Sequence, residues 1–438
     1  MTLRRLLEAP IADLTFADVE ALILEEAEEG LRFELKRDLQ ANSGQVDPWM
    51  SGGKKLGGPA RDGLAKEVVA LANAYGGAIV VGVDETDDHP KRARGLAPTL
   101  IPNVIECAER VQQALDSLID PPLPVLEVRG IETPDTDGGG VLVIRTGAST
   151  RAPHGYGRPP LAYMRRGSRS EPMTMRDLQS VLFETRSRGE RITALLEQRR
   201  AALMRMIGKG AIDAAGADGP RLGAAQGVIW FRCTLVPAED LQLRADDLGR
   251  LGYLIRPQPQ SGYAALGAGQ FHYGWQPRVG GIEAIDSGNR HTARWFVGDQ
   301  GVVDAYGFLA LDTYKDRDDV FDPVLFPPVV FEVLAMGERL RRAARRPEVE
   351  LVIECELNIP GKACAVVAGG RMDRLVDVPD GETRIGPYRL GNIEDWARTY
   401  TEIQRGLWAA LGLHVVQPVA FNLEEWLAEI EAQQGGRR

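Results

Sequence analysis

Hydrophobic and polar residues alternate in residues 29–36, and this period of two predicts a short β-strand. On such a strand Phe33 and Leu35 face a core, because successive side chains point to opposite sides. Glu34 and Lys36 then share the other side. The alternation therefore predicts a strand that is buried on one face and carries an acid and a base on the other.

A helix, a turn and a buried strand are predicted within residues 66–85. Apolar residues recur with helical spacing before Gly76 and Gly77, which end the helix because glycine adopts left-handed backbone angles readily. The next run, residues 78–83, is apolar throughout and is typical of a strand buried on both faces. This strand ends by presenting Asp84.

An insertion separates the two pieces, and its glycine, serine and proline content predicts a loop over Ala41–Asp62. Trp49 and Met50 are candidates for a small hydrophobic anchor within the loop. Lys54 and Lys55 are candidate phosphate contacts.

Three acidic residues stand at element ends or on a polar strand face: Glu29, Glu34 and Asp84. Mg²⁺ and Mn²⁺ prefer oxygen ligands of this kind. Lys36 lies two residues after Glu34 on the same predicted face, where it could hold a phosphate or stabilise developing charge. Taken singly, each carboxylate fits a solvated surface better than a metal site, because exposed carboxylates are the usual case.

Together these residues resemble the Schlafen AlbA-like (AlbA_2) family. The family pattern is a glutamate, four residues and Glu-Phe-Lys, then a helix with Ala-x-x-Asn, a Gly-Gly pair and a strand ending in Gly-Val-Asp. The resemblance extends to about residue 186, and a leucine replaces the phenylalanine. The matching residues are Glu29, Glu34-Leu35-Lys36, Leu71-Ala72-Asn73-Ala74, Gly76-Gly77 and Gly82-Val83-Asp84-Glu85.

The resemblance implies an α+β fold, with a mixed sheet and helices in the AlbA-like domain. Nuclease members of the family cleave RNA with a metal ion, and the two glutamates and the aspartate match Glu29, Glu34 and Asp84 here. We therefore expect Mn²⁺ or Mg²⁺ as cofactor and Lys36 as a further catalytic residue. The family-level substrate is structured RNA such as tRNA, and a role in defence against phage is a further expectation.

Arginines form a second candidate contact with nucleic acid. Pro153-His154 and the segment ending Arg-x-Gly-Ser also resemble the family, and Arg165, Arg166 and Arg169 cluster there. With Lys36 they are predicted to bind the RNA backbone, although an ordinary basic hairpin end is an equal alternative.

The net charge of the chain bears on the expectation that it binds nucleic acid. The formal net charge of −10 is unlike a general nucleic-acid binder, for which a basic domain is usual. Between Arg145 and Arg200, however, the chain has twelve arginines and no lysine against five acids, so a basic surface would be local.

The length of 438 residues favours two domains. We predict an AlbA-like domain over residues 1–186, a connector helix and Gly/Ala-rich linker over 187–226, and an α+β domain of unknown type over 227–438. The last would be a sensor, regulatory or partner-binding domain. Its predicted elements are strands at Val228–Val236, Tyr253–Arg256, Gln270–Trp275, Ala293–Val297, Val302–Leu311 and Glu348–Glu356, and helices at Pro328–Arg345, Asn392–Leu411 and Leu423–Ala432.

Several classes of protein are disfavoured. The four cysteines show no C-x-x-C spacing, so a structural zinc site is not expected. The chain shows no secretory signal and no run of about 20 apolar residues, so no membrane association is expected and we predict a cytoplasmic protein.

Two alternatives to a nuclease stay open. The first is a DNA- or RNA-binding module without catalysis, regulated by the C-terminal half. The second is a nucleotide-binding protein, which the absence of a phosphate loop makes less favoured. Animal Schlafen cores contain two AlbA-like lobes that form a cleft, whereas one is recognised here. If a comparable cleft is needed, a homodimer or the C-terminal domain would supply the second lobe.

Overall fold

The computed structural model describes residues 2–41, 46–52, 54–88, 90–134, 136–208, 228–244, 248, 275–287, 291–314, 316–359, 361–367 and 374–413. The chain forms two compact units. The first consists of Met1–Glu190 and Arg345–Glu350, and the second of Arg191–Ala344 and Leu351–Arg438.

The first unit alternates helices with short strands. Its elements are α1 (Thr2–Glu8), α2 (Phe16–Leu24), β1 (Phe33–Lys36), α3 (Gly58–Ala72), β2 (Gly77–Val81), β3 (Val83–Glu85), β4 (Ala93–Leu96), α4 (Val104–Leu118), β5 (Ile119–Asp120), β6 (Leu126–Glu132), β7 (Gly140–Thr146), β8 (Gly155–Tyr156), β9 (Tyr163–Arg166), β10 (Arg169–Pro172) and the start of α5 (Met175–Gly208).

A four-stranded mixed sheet forms the centre of this unit, with the strand order β1-β2-β7-β6. β1 is parallel to β2, whereas β2 and β6 each pair antiparallel with β7. The mixed sheet expected from the resemblance is thus present.

Both faces of the sheet are covered, which explains the uninterrupted apolar run of β2. Val80 packs with Phe33 in a core that includes α1 and α2. Ile79 and Val81 point the other way, into a core formed with α3 and α4. Because side chains alternate along a strand, a strand between two cores must be apolar at every position.

The Gly76-Gly77 pair makes the turn between α3 and β2. Gly76 has a φ of +65° and donates its N–H to Leu71 O at 2.9 Å, as a helix C-cap requires. Gly77 packs so closely on β1 that an added Cβ would lie 2.2 Å from Arg32 O. The first glycine serves the turn and the second serves the approach of β2 to β1.

The predicted loop over Ala41–Asp62 was wrong at two places. A 3₁₀ helix occupies Pro48–Ser51, and α3 already begins at Gly58. The reason is the anchor: Trp49 is buried, and its Nε1 donates to Pro102 O at 2.8 Å. Asp47 accepts hydrogen bonds from the backbone of Trp49 and of Gly57, which closes the turn before the helix.

A six-residue segment distant in sequence belongs to the first unit. Glu350 in Arg345–Glu350 accepts a hydrogen bond from the Thr150 hydroxyl, and Glu348 lies 3.7 Å from the Arg32 guanidinium. Its backbone presses on Gly147, where an added Cβ would lie 2.4 Å from Glu348 O.

The second unit contains a seven-stranded antiparallel sheet, a four-stranded sheet and helices. Its elements are the end of α5, β11 (Val228–Pro237), β12 (Gln276–Arg278), β13 (Gly281–Ser287), β14 (His291–Gly298), β15 (Val303–Ala310), β16 (Asp312–Tyr314), β17 (Arg317–Phe321), α6 (Phe326–Ala344), β18 (Leu351–Ile359), β19 (Ala363–Val367), β20 (Arg374–Val378), β21 (Gly381–Leu390) and α7 (Trp396–Ala410).

The α+β class is confirmed. Tyr253–Arg256, Leu423–Ala432, the Gly/Ala-rich linker from 209 to 227 and all of Gln270–Trp275 except its last residue lie outside the described residues. Within the described part of the chain, none of the helices has the length and apolar character needed to cross a bilayer.

We predict that Gly77→Ala destabilises the protein by about 1–3 kcal/mol, because the new methyl group would collide with the backbone of Arg32, just before β1. Chemical denaturation measures the loss. Gly95→Ala is the matched control, since a Cβ there has no atom within 4 Å. An equal effect of the two changes would contradict the close packing of Gly77.

Candidate functional site

An open cleft of about 660 Å³ lies beside β1 in the first unit. Its lining comes mainly from β1, from α3 and from the turn that follows β3. Most of its lining is polar or charged. The charged residues that matter below are Glu34, Lys36, Lys66, Glu67, Glu85 and Lys91.

Arg165 lies inside the unit and binds two of the carboxylates that line the cleft, Glu34 and Glu67. Its side chain is buried, and its guanidinium binds Glu34 at 2.5 Å and Glu67 at 3.1 Å. It also donates to the carbonyls of Gly30 and Phe33 at 3.1 and 3.2 Å. Arg165 was expected to contact the RNA backbone, but its hydrogen-bonding groups are used within the protein.

Glu29 lies near Glu34, and its carboxylate is buried. Its Oε1 accepts the N–H of Leu35 at 3.0 Å, and its own N–H donates to Lys91 O at 2.9 Å. Burial is the main cause that raises the pKa of Glu29 to about 7, and the negative charge of Glu34 is the next. Glu85 adds to the rise. Glu29 and Glu34 are therefore close enough to repel each other.

Three lysines place positive charge in the same cleft. Lys36 Nζ lies 3.3 Å from Glu34 Oε1, and Lys66 Nζ lies 3.7 Å from Glu67 Oε1. Lys91 pairs with Glu85, and that hydrogen bond raises the pKa of Lys91. Carboxylates and ammonium groups thus alternate around the cleft.

Of the three carboxylates expected to bind a metal, Glu34 lines this cleft and Glu29 and Asp84 do not. Arg94 holds Asp84 at 2.6 Å and Arg37 lies at 3.7 Å, and the hydrogen bond from Arg94 lowers the pKa of Asp84. The neighbouring Glu85 lines the cleft instead. Nowhere in the described residues do three or more acidic, histidine or cysteine side chains form a ready group for a metal ion.

The three arginines of the predicted cluster do not all face solvent. Arg165 points inward, whereas Arg166 and Arg169 are exposed and lie opposite each other in the β9–β10 hairpin. Arg166 pairs with Asp177 at 2.7 Å. The hairpin therefore presents two of the three predicted arginines to solvent.

Residues 29–174 match the family model described as Schlafen, AlbA_2. The first unit contains a Schlafen AlbA_2 domain. The match covers about a third of the 438 residues, and a nucleic-acid-related function is what the family suggests. No curated protein matches the chain.

Two recognised motif residues of the AlbA_2 domain have an architectural role. Asn73, at the end of α3, donates to the carbonyls of His154 and Tyr163 at 2.9 and 2.8 Å. Its Oδ1 accepts the N–H of His154 at 2.7 Å, and burial lowers the pKa of that histidine. These bonds fix β9 beside α3, which is what allows Arg165 to reach Glu34 and Glu67.

The sequence patterns did not reveal Glu67, Glu85, Lys66 and Lys91 as residues of the AlbA_2 cleft. Lys66 and Glu67 follow each other in the predicted helix, and Glu85 directly follows Asp84, so both signals were available as neighbours of recognised residues. Lys91 lies in a turn whose composition indicated only a loop.

The donor set of the AlbA_2 cleft suits a hard divalent cation. The charge of Glu34 repels that of the buried Glu29, and a cation offsets such repulsion. Mg²⁺ often uses only one or two carboxylates and completes its shell with water and substrate phosphate. Two adjacent glutamates therefore fit such an ion without a third carboxylate.

Glu29 should make the stability of the metal-free protein depend on pH. Its folded pKa of about 7 exceeds the value near 4.3 of an unfolded glutamate, so its protonated form favours the fold. This contribution is present below about pH 4 and is lost as the pH rises through 7. We expect Glu29→Gln to remove a pH dependence of at most about 4 kcal/mol in total, of which at most about 3 kcal/mol falls between pH 5 and pH 8.

Urea unfolding in EDTA at pH 5 and pH 8 measures this effect as the difference between wild type and Glu29→Gln. The variant should gain on the wild type as the pH rises. The adjacent, exposed Glu28 provides the control variant Glu28→Gln. A difference that is the same at both pH values would contradict the raised pKa.

Proposed function

We propose that the AlbA_2 domain is a metal-dependent endoribonuclease that cleaves structured RNA such as tRNA. The observation that supports this most is the charge repulsion between the buried Glu29 and Glu34, of which Glu34 lines the cleft with Lys36 and Lys66. Carboxylates of this kind suit a divalent cation, and lysines suit phosphate oxygens. tRNA as the substrate, and defence against phage as the role, rest on the family resemblance.

In this proposal Glu29 and Glu34 hold Mn²⁺ or Mg²⁺. When bound, the ion would activate water or stabilise the leaving oxygen of the phosphodiester. Asp84, the third ligand expected from the family pattern, would have to leave Arg94 and Arg37 to join them. Glu85 already faces the cleft.

The chain's own cations bind and orient the RNA. Lys36, next to Glu34, is placed to hold the scissile phosphate and to stabilise charge that develops on it. Lys66 offers a second phosphate contact along α3. Arg165 orients Glu34 from below, and the exposed Arg166 and Arg169 bind the backbone farther from the cleft.

The test is cleavage of total tRNA by the purified protein with Mn²⁺ and with EDTA. Glu34→Gln should abolish metal-dependent cleavage in a protein that still folds, with a lowered thermal unfolding temperature because Arg165 loses one of its two neutralising charges. Glutamine is preferred to alanine here, because its amide oxygen can still accept a hydrogen bond from an N–H of the buried Arg165 guanidinium, whereas alanine would leave that N–H without its acceptor. Lys36→Ala should lower kcat by about 10²–10³, the usual effect of removing one charge-stabilising donor.

Glu28, the exposed residue before Glu29, supplies the matched control. Glu28→Gln removes the same charge outside the cleft and should cleave like the wild type. Cleavage that persists in Glu34→Gln would overturn the assignment of the site. Cleavage that EDTA leaves intact would overturn the role of the metal.

A second candidate is a DNA- or RNA-binding module without catalysis, with the second unit as its regulator. It is favoured by one observation: Asp84 is paired with two arginines and is absent from the cleft lining. Binding that weakens steeply with salt, together with no turnover in Mn²⁺ or Mg²⁺, would support this candidate over the nuclease.

A further inference from the structure

Tyr156 lines the same cleft as Glu34, Lys36 and Lys66, and no step of the proposed function uses it. We propose that Tyr156 is a stacking platform for the base of an unpaired RNA nucleotide, so that the cleft accepts a single-stranded segment of the RNA and excludes a continuous duplex. The inference rests on the proposed RNA-binding function and adds the conformation of the substrate.

The backbone of Tyr156 is fixed on both sides. Its N–H donates to Leu161 O at 3.1 Å, and its carbonyl accepts the N–H of Leu161 at 2.9 Å. On the other side β8 pairs with β5, where Tyr156 lies opposite Ile119. A residue held in this way keeps its position when the cleft is empty.

The ring of Tyr156 is supported by a second aromatic ring. Tyr163 stacks on it with a centroid distance of 5.8 Å and an interplanar angle of 27°. Lys66 Nζ lies 5.7 Å from the centroid of the Tyr163 ring, which links the pair to a candidate phosphate-binding lysine. A supported ring loses little conformational entropy when a base stacks on it.

The surroundings define what Tyr156 can bind. Burial and the neighbouring Tyr163 raise the pKa of Tyr156 to about 12, so the hydroxyl keeps its proton and the ring stays uncharged. The cleft around it carries ammonium groups for phosphates, and its volume of about 660 Å³ is that of a small-molecule site. A charged cleft with one supported aromatic surface matches a nucleotide, which joins a phosphate to a flat base.

Duplex RNA cannot use such a surface. Its bases are stacked on each other, and proteins that read RNA bases therefore bind loops, bulges and ends, where bases turn outward onto aromatic side chains. Stacking accepts any base, so Tyr156 would select unpaired nucleotides without selecting a sequence.

The test is a binding cycle in EDTA between protein variants and short RNAs. The RNAs are a single-stranded decamer, the same decamer with an abasic site moved through each position, and the fully paired duplex. Tyr156→Leu, which keeps an apolar contact with Tyr163, should weaken binding of the intact decamer roughly 5- to 100-fold, the usual effect of losing one base–aromatic stack. Tyr156→Phe keeps the ring and should bind like the wild type.

At one position the abasic site should weaken wild-type binding by a similar factor and should have no further effect in Tyr156→Leu. A 2-aminopurine placed there should lose fluorescence on binding to wild type but not to the leucine variant. Tyr75→Ala is the control, because Tyr75 is exposed and lies outside the cleft. Duplex binding should be the same for all these proteins.

The outcomes separate this inference from the nuclease. The stacking platform alone would be overturned if the abasic site weakened binding to Tyr156→Leu as much as to wild type at every position. It would also be overturned if Tyr156→Leu weakened binding of the duplex as much as binding of the decamer. Coupling without metal-dependent cleavage would support the platform and contradict the nuclease. No RNA binding by the wild type would overturn both.

Discussion

The architecture of the cleft depends on one buried guanidinium. Arg165 joins β9, β1 and α3 by binding Glu34, Glu67 and two backbone carbonyls at once. A buried charge is tolerated only when it is paired and hydrogen-bonded, and removal of one partner typically costs about 3–5 kcal/mol. Glu34, which is proposed to bind the metal, is therefore also one of the two carboxylates that neutralise Arg165, and this couples the integrity of the fold to the chemistry of the cleft.

This coupling explains how motif residues divide their tasks. Asn73 and His154 contact no cleft residue through their hydrogen bonds, yet they fix the strand that carries Arg165. Gly77 allows β2 to approach β1, which carries Glu34 and Lys36. Some residues of the recognised pattern thus act on the site only by setting the distance between the elements that bear it.

The sequence predicted whatever depends on local periodicity. Alternation identified β1, and paired glycines identified the turn before β2, because both signals arise from neighbouring residues. The side on which Asp84 points was not predictable, since a register shift next to it in β3 and the pairing with Arg94 are tertiary features. Likewise, Arg165 looks like a surface residue in sequence, because Glu67 lies 98 positions away.

The segment Arg345–Glu350 has a consequence for the history and handling of the chain. A polypeptide ending at residue 190 would lack the segment that covers Gly147 and accepts the Thr150 hydrogen bond. The AlbA_2 unit is thus completed only after more than 150 further residues have been synthesised. The two halves of the protein therefore cannot be exchanged as independent pieces. A gene fusion or excision that cuts within helix α5 would leave the first unit without the segment Arg345–Glu350.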